Sequence, residues 1–294
     1  MKRLVKMIDF QKLNTSTPQK ITLSDKKFIC IEQIGEGGGS YIFKIVEDID
    51  EVDNAKEFAL KVCKFLNKPR GRTGKYIADK KFKNEVDIAK EFSEPQYKNN
   101  FITYLLDDTL MLKKTKAKGE TNHSCYVMDI ADESFEDYLC NRVFWNSENE
   151  LYPKIKELSY TVKLLHDKDY VHRDIKPQNI LVQGEVFKLA DFGMVETENT
   201  TCKKAGPKYW PTPEFLNMCD EDAHCSGKQT DVFMLGCIFY FIYTKKYPVG
   251  NVNIDLIADE YKMKPIIKKM ISYDIDERYN NCDEVYNAIM LIRF

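Results

Sequence analysis

Apolar positions along the chain change period once. From Phe28 to about Met128 they alternate or run in short aromatic and β-branched stretches, as strands do. The stretch FICIEQIGEGGGSYIFKIVEDI reads as two strands joined by a glycine turn, and EFALKVCKFL as a third. One helix is expected around Phe82 to Phe92. Beyond Ala131 the pattern turns helical. Ser134 with Asp137 three residues on forms a capping-box start for a helix through Leu139. Leu151, Ile155, Leu158, Val162 and Leu165 recur at four-three-four-three spacing, which gives one apolar helix face. Residues 231–243 are apolar nearly all round and predict a central buried helix. Asp283 is expected to cap a last helix carrying Val285, Ile289 and Ile292. Residues 1–27, with Thr15, Ser16, Thr17 and Pro18, lack clean periodicity and read as an N-terminal extension. A strand-rich first part and a helix-rich second part imply an α+β architecture with two lobes.

Composition narrows the function. The 294 residues carry 44 Lys+Arg against 46 Asp+Glu, a net charge of −2, without the basic excess usual for nucleic-acid binding. No stretch approaches the roughly 18 uninterrupted apolar residues of a membrane span. The start, MKRLVKMIDFQKL, has no continuous apolar core before Asp9 and is not a classical secretory signal. Nine cysteines, with no C-x-x-C, read as free thiols in a reducing cytosol, hence a cytoplasmic or nucleo-cytoplasmic location. Cys219, His224 and Cys225 cluster, but their spacing matches no common zinc pattern. Residues 67–83, NKPRGRTGKYIADKKFK, form a strongly basic segment read as a solvated loop, or as a docking site for an acidic partner. Residues 113–122 are a second Lys-rich loop.

Three segments carry chemistry. Gly35-Glu-Gly37-Gly38-Gly39-Ser40 lets backbone N–H groups approach a phosphate, although alone it is equally a flexible hairpin. A strand and not a helix follows it, and no G-K-[ST] closes it, so it is neither a dinucleotide fingerprint nor a Walker loop. Lys61, within Phe58-Ala59-Leu60-Lys61-Val62, can reach phosphate oxygens if a carboxylate holds it. Glu85 is the natural partner and Glu91 the alternative. The third segment is Val171-His172-Arg173-Asp174-Ile175-Lys176-Pro177-Gln178-Asn179-Ile180-Leu181-Val182, followed by Asp191-Phe192-Gly193.

In this order the motifs resemble those of eukaryotic-type protein kinases over roughly residues 28 to 294. The resemblance implies a bilobed fold: a small antiparallel β-rich N-lobe with one helix (28–128), a hinge (129–132) and a larger helical C-lobe (133–294). It implies a serine/threonine kinase that uses ATP and Mg²⁺ to phosphorylate a protein hydroxyl. Asp174 would orient the hydroxyl, Lys176 would contact the γ-phosphate, and Asn179 and Asp191 would hold magnesium. Gly35, Gly37, Gly38 and Ser40 would cover the phosphates, and Lys61, pinned by Glu85, would contact the α/β-phosphates. Ile34, Ile42, Ala59 and Leu181 would sandwich adenine, with Met128 as gatekeeper and Asp129 and Ala131 offering backbone groups. Pro213-Glu214, Asp231 and Arg278 match structural positions of the family.

Some residues depart from the pattern. Ser40 replaces the third glycine, Thr212 an alanine and Phe233 a tryptophan. Pro207 stands where serine/threonine members carry a threonine, whereas Lys176 is the stronger serine/threonine marker. Dual specificity and a pseudokinase scaffold are the alternatives; a small-molecule kinase typically lacks the Pro-Glu and late Arg pair. Arg173 implies regulation by phosphate on Thr197, Thr200 or Thr201. The oligomeric state is not readable.

Overall fold

The computed structural model describes residues 6–14, 17–49, 55–64, 73–113, 121–141, 148–198, 212–213, 227–248 and 252–293. The chain divides into two compact units, one of residues 1–98 and 102–130, the other of residues 99–101 and 131–294.

The first unit is built on a sheet. Its strands are β1 (Met7–Asp9), β2 (Gln19–Leu23), β3 (Lys26–Glu36), β4 (Ser40–Glu47), β5 (Glu57–Cys63), β6 (Tyr104–Lys113) and β7 (Thr121–Asp129). Their order is β1-β6-β7-β5-β4-β3-β2, parallel at β1–β6 and antiparallel elsewhere. One face buries Ile8, Ile21, Phe28, Phe43, Ile45, Phe58, Leu60 and Val127 in a single cluster. Full burial of each such side chain contributes about 1.5–3 kcal/mol. Helix α2 (Thr73–Glu91) adds a second cluster by placing Phe82 and Val86 against Cys63 and Tyr126.

Residues 1–27, expected as an extension, supply β1, β2 and the short helix α1 (Phe10–Asn14) between them. The strands are also tied across the sheet's two edges. The Gln19 side chain accepts the Asp9 N–H at 2.7 Å and donates to the Asp9 carbonyl at 3.0 Å, so a side-chain amide stands in for a ladder bond. After β2, Ser24 donates its N–H to Asp108 and its hydroxyl to the Asp107 carbonyl. These bonds cover edges that would otherwise present unpaired backbone groups.

The basic segment 67–83 is also corrected in part. From Thr73 it is helix and not loop, because Lys and Ala are good helix formers and the turn continues into the amphipathic stretch at Phe82. Lys80, Lys81 and Lys83 lie on its exposed side, and residues 65–72 lie outside the described ones.

The second unit is mainly helical. Strand β8 (Glu133–Ser134) leads into α3 (Phe135–Asn141), where the Ser134 hydroxyl accepts the Asp137 N–H at 3.1 Å and donates to its carboxylate at 2.6 Å. Helix α4 (Glu148–His166) buries Leu151, Ile155, Leu158, Val162 and Leu165, the predicted face. Short strands β9 (Tyr170–Val171), β10 (Ile180–Gln183), β11 (Val186–Leu189) and β12 (Glu196–Thr197) frame the loops between them. Helix α5 (Gly227–Thr244) is buried nearly all round, as its composition predicts. A Cβ on Gly236 would lie 2.7 Å from the Met270 Cβ, so glycine allows α6 (Lys264–Met270) to pack against it. Helix α7 (Cys282–Met290) is capped by Asn281, whose side chain accepts the Glu284 N–H, and not by Asp283. Val285 and Ile289 are buried while Ile292 is only half-buried.

Candidate active site

The glycine turn joins β3 to β4, closed by a hydrogen bond from the Gly37 N–H to the Ser40 carbonyl at 3.0 Å. A Cβ on Gly37, Gly38 or Gly39 would meet no atom within 4 Å, so the turn's outer side is open. Gly35 lies opposite Ile42, and Ile34 is 47% exposed, in an outer stretch of β3 where Glu32, Gln33 and Glu36 are exposed as well.

Lys61 sits mid-strand in β5, across from Ile42 on one side and Tyr126 on the other. Its side chain is buried, and a buried ammonium without a counter-charge is strongly destabilising. Helix α2 supplies that charge: the Lys61 Nζ pairs with Glu85 Oε1, itself buried. Glu85, rather than Glu91, is the partner. Sequence reading missed Tyr126, whose hydroxyl donates to the same Glu85 oxygen at 2.9 Å. Ala59, one step along on the face of Lys61, is buried and pairs with Met128. The Asp129 N–H donates to the Thr103 carbonyl at 2.9 Å.

In the second unit, β9 runs into the loop that carries Asp174. Both Arg173 and Asp191 adopt positive φ, 66° and 65°, which costs non-glycine residues energy that the surroundings must offset. For Arg173 the offset comes from buried Asp231 of α5, which accepts the N–H groups of His172 at 2.7 Å and Arg173 at 2.8 Å. His166 Nε2 lies 3.1 Å from the same carboxylate. His172 Nε2 lies 3.2 Å from the Ala190 carbonyl.

Asp174, Lys176 and Asn179 converge. Asp174 Oδ2 accepts the Lys176 ammonium at 2.6 Å and the Asn179 amide at 2.9 Å, and the Asn179 Nδ2 also donates to the Asp174 carbonyl at 2.8 Å. This commits the nitrogen of Asn179 and leaves its Oδ1 as a hard oxygen donor. The Ala190 N–H donates to the Asn179 carbonyl at 2.9 Å, which ties Asp191 to the same loop. Asp191 in turn caps the turn at 192–194 by accepting the Gly193 N–H. Phe192 is buried beside Phe101 and His172. Leu181 pairs with Ser134 on β8, and Ala131 precedes the Asp132 N–H that donates to the Val182 carbonyl.

A model of the protein kinase domain matches residues 28–291. The chain belongs to the protein kinase family. This protein kinase is 30% identical over 79% of its length to a Dictyostelium discoideum protein named as a probable serine/threonine-protein kinase. It is 26% identical over 84% of its length to serine/threonine-protein kinase cds1 of Schizosaccharomyces pombe, and 25% identical over 80% to mph1 of the same organism. The chain spans 46%, 53% and 33% of those relatives, about half their length or less.

Several expected residues of the kinase fall outside the described ones: Thr200, Thr201, Pro207, Glu214, Cys219, His224 and Cys225. Thr197 is exposed on β12. Arg278 is buried, donates to the Ser272 carbonyl at 2.8 Å and lies 4.6 Å over the Phe233 ring, so the phenylalanine that replaces tryptophan packs the guanidinium. Among the described cysteines, 30, 63, 125, 237 and 282 are buried and Cys140 is exposed, all as free thiols.

Proposed function

We propose that the chain is an ATP- and magnesium-dependent serine/threonine protein kinase. The carrying observation is the convergence of Lys176 and Asn179 on one oxygen of Asp174. A carboxylate held this way is oriented without being consumed by its own backbone, and catalysis of phosphoryl transfer is mostly such positioning. Asp174 orients the substrate hydroxyl and receives its proton as the oxygen bonds to the γ-phosphorus and ADP leaves. Lys176 faces the transferred phosphoryl group from the same side as Asp174, a marker of serine/threonine members. Lys61, held by Glu85, binds the α/β-phosphates, and Gly35, Gly37, Gly38 and Ser40 cover them. Ile34, Ile42, Ala59, Met128 and the Asp129 backbone of the first unit, and Leu181 and the Ala131 backbone of the second, are the residues this reading assigns to adenine.

The donor set fits a magnesium ion: Asn179 Oδ1 and the Asp191 carboxylate are hard oxygen ligands. When bound, the ion supplies charge neutralisation on the phosphates. In this reading the lobes are 28–128 and 133–294 with a hinge at 129–132. No helix among the described residues is long and apolar enough to cross a membrane. The free thiols of the described cysteines favour a reducing compartment, the cytoplasm or nucleo-cytoplasm. The protein substrate, and an acidic partner at the basic segment 67–83, belong to the same reading.

Radiolabelled ATP with generic protein substrates, followed by phosphoamino-acid analysis, tests it. Wild type should label serine and threonine, and Asp174→Ala should not. Equal labelling by both would sink the assignment.

A further inference from the structure

The lysine three residues beyond Lys61 has no assigned role, yet it grips the glycine turn. Lys64 follows the end of β5, where Cys63 pairs with Ser40. Its N–H donates to the Gly39 carbonyl at 2.9 Å. Its ammonium lies 2.6 Å from Glu36 Oε1, donates to the Gly37 carbonyl, and sits 4.6 Å over the Tyr41 ring. The Lys64 side chain is 18% exposed, so this charge is partly desolvated. A charge-assisted bond there is stronger than one on the open surface.

Two peptide planes are thereby fixed. In a trans peptide the C=O and the following N–H point in opposite directions. With the carbonyls of Gly37 and Gly39 turned toward Lys64, the N–H groups of Gly38 and Ser40 must face away from it. Glycines at 37, 38 and 39 would otherwise sample many orientations, because none has a Cβ and a Cβ placed on any of them would meet no atom within 4 Å. We propose that Lys64 is a positioning residue that presets the Gly38 and Ser40 amides for the phosphates of the nucleotide. It does not itself touch the phosphates. It removes the ordering cost that a loose glycine turn would impose on binding. Glu36 is part of the device, since its carboxylate holds the ammonium over the Gly37 carbonyl.

The proposal rests on the kinase reading of the glycine turn, so the test has one arm that needs no catalysis. Amide hydrogen exchange of residues 37–40 is compared in nucleotide-free wild type, Lys64→Met, Lys64→Arg and Glu36→Gln. Lys64→Met should exchange faster there and nowhere else in the sheet, with Lys64→Arg nearer wild type. The second arm titrates a non-hydrolysable ATP analogue and measures steady-state kinetics. We expect analogue affinity to fall by about five-fold in Lys64→Met, KM for ATP to rise similarly, and kcat to change less than about two-fold. Glu36→Gln should show the same split more weakly, and being an exposed position it keeps the test open if Lys64→Met does not fold. Unchanged exchange at 37–40 would overturn the proposal whatever the activity. So would faster exchange with unchanged affinity, or a loss confined to kcat. A wild type that fails to bind the analogue would overturn the kinase reading, and with it the role given to Lys64, while leaving the exchange result as a fact about the turn.

Discussion

The carboxylate of Asp231 accepts the Arg173 N–H at 2.8 Å across 58 residues of sequence. That bond and its twin to the His172 N–H hold the chain in the left-handed conformation from which the next residue, Asp174, is presented. Beyond Asp231, α5 is apolar from Val232 to Ile242 except for the tyrosine hydroxyl of Tyr240, so a fully buried aspartate at its start is unexpected on stability grounds alone. Removing it strands two buried donors. Asp231→Ala should cost about 3 kcal/mol, and Asp231→Asn less, since one carbonyl oxygen remains to accept. Urea unfolding of both variants measures the difference; equal stability of Asp231→Ala and wild type would show that the two N–H groups find other partners.

A similar hierarchy holds at Glu85. It receives both Lys61 and the Tyr126 hydroxyl on one oxygen. Tyr126→Phe keeps the ring contacts with Phe82 and Tyr104 and removes only the hydroxyl, so it should cost about 1 kcal/mol. Glu85→Gln leaves the Lys61 ammonium buried without its counter-charge and should cost about 3 kcal/mol. The order, rather than either value, is the claim, and denaturant midpoints of the two variants read it directly.

The parts of this architecture legible in the sequence are those in which local pattern and final environment agree. The four-three-four-three face of α4, the Ser134–Asp137 cap and the nearly all-apolar stretch of α5 each occur as the spacing predicts. Loop motifs were readable because Asp174, Lys176 and Asn179 lie close in sequence and close in space. What escaped depends on distant partners. Strand β1 is three residues long, too short to show a period, and exists because β6 lies beside it. Strand β2 does alternate, but Gln19 fills one inward slot, and only the Asp9 backbone reveals why a polar side chain belongs there. The hydroxyl of Tyr126 and the ammonium of Lys64 likewise find partners on other elements. At α7 the choice between Asn281 and Asp283 as cap is a matter of one-residue geometry between two capping-competent side chains.

A pH effect follows from Lys245, just past the end of α5. Burial pushes its ammonium down to about 8 from the usual 10.5. Between those values the unfolded chain holds a proton that the folded chain has released. Stability from this group therefore rises as pH climbs from about 8 to 10.5, and at neutral pH the partly desolvated charge is a liability. Partial solvation keeps the effect small. Lys245→Met should raise stability near pH 7 and narrow its advantage toward pH 10. The difference between the two unfolding curves isolates this group from thiols and tyrosines that titrate over the same range; a difference that grows with pH would reverse the sign.

Strands β1 and β2 lie before the matched family region, yet they contribute to the same hydrophobic cluster as the rest of the sheet. Ile8, Ile21 and Leu23 are fully or almost fully buried in it. Ile8→Ala should cost about 3 kcal/mol from lost burial and the cavity left behind. Gln19→Ala removes the amide that satisfies both backbone groups of Asp9 and should cost about 2 kcal/mol, although the substituted side chain is polar. A chain beginning at Phe28 would lose both strands, uncover the edge of β6 and open the cluster. It should melt lower than the full chain and aggregate through that edge. Light scattering alongside thermal unfolding distinguishes the outcomes. A chain beginning at Phe28 that melts with the 294-residue chain would mean that β1 and β2 decorate the sheet without supporting it, whereas loss of stability in Gln19→Ala alone would locate the support in the amide closure between Asp9 and Gln19.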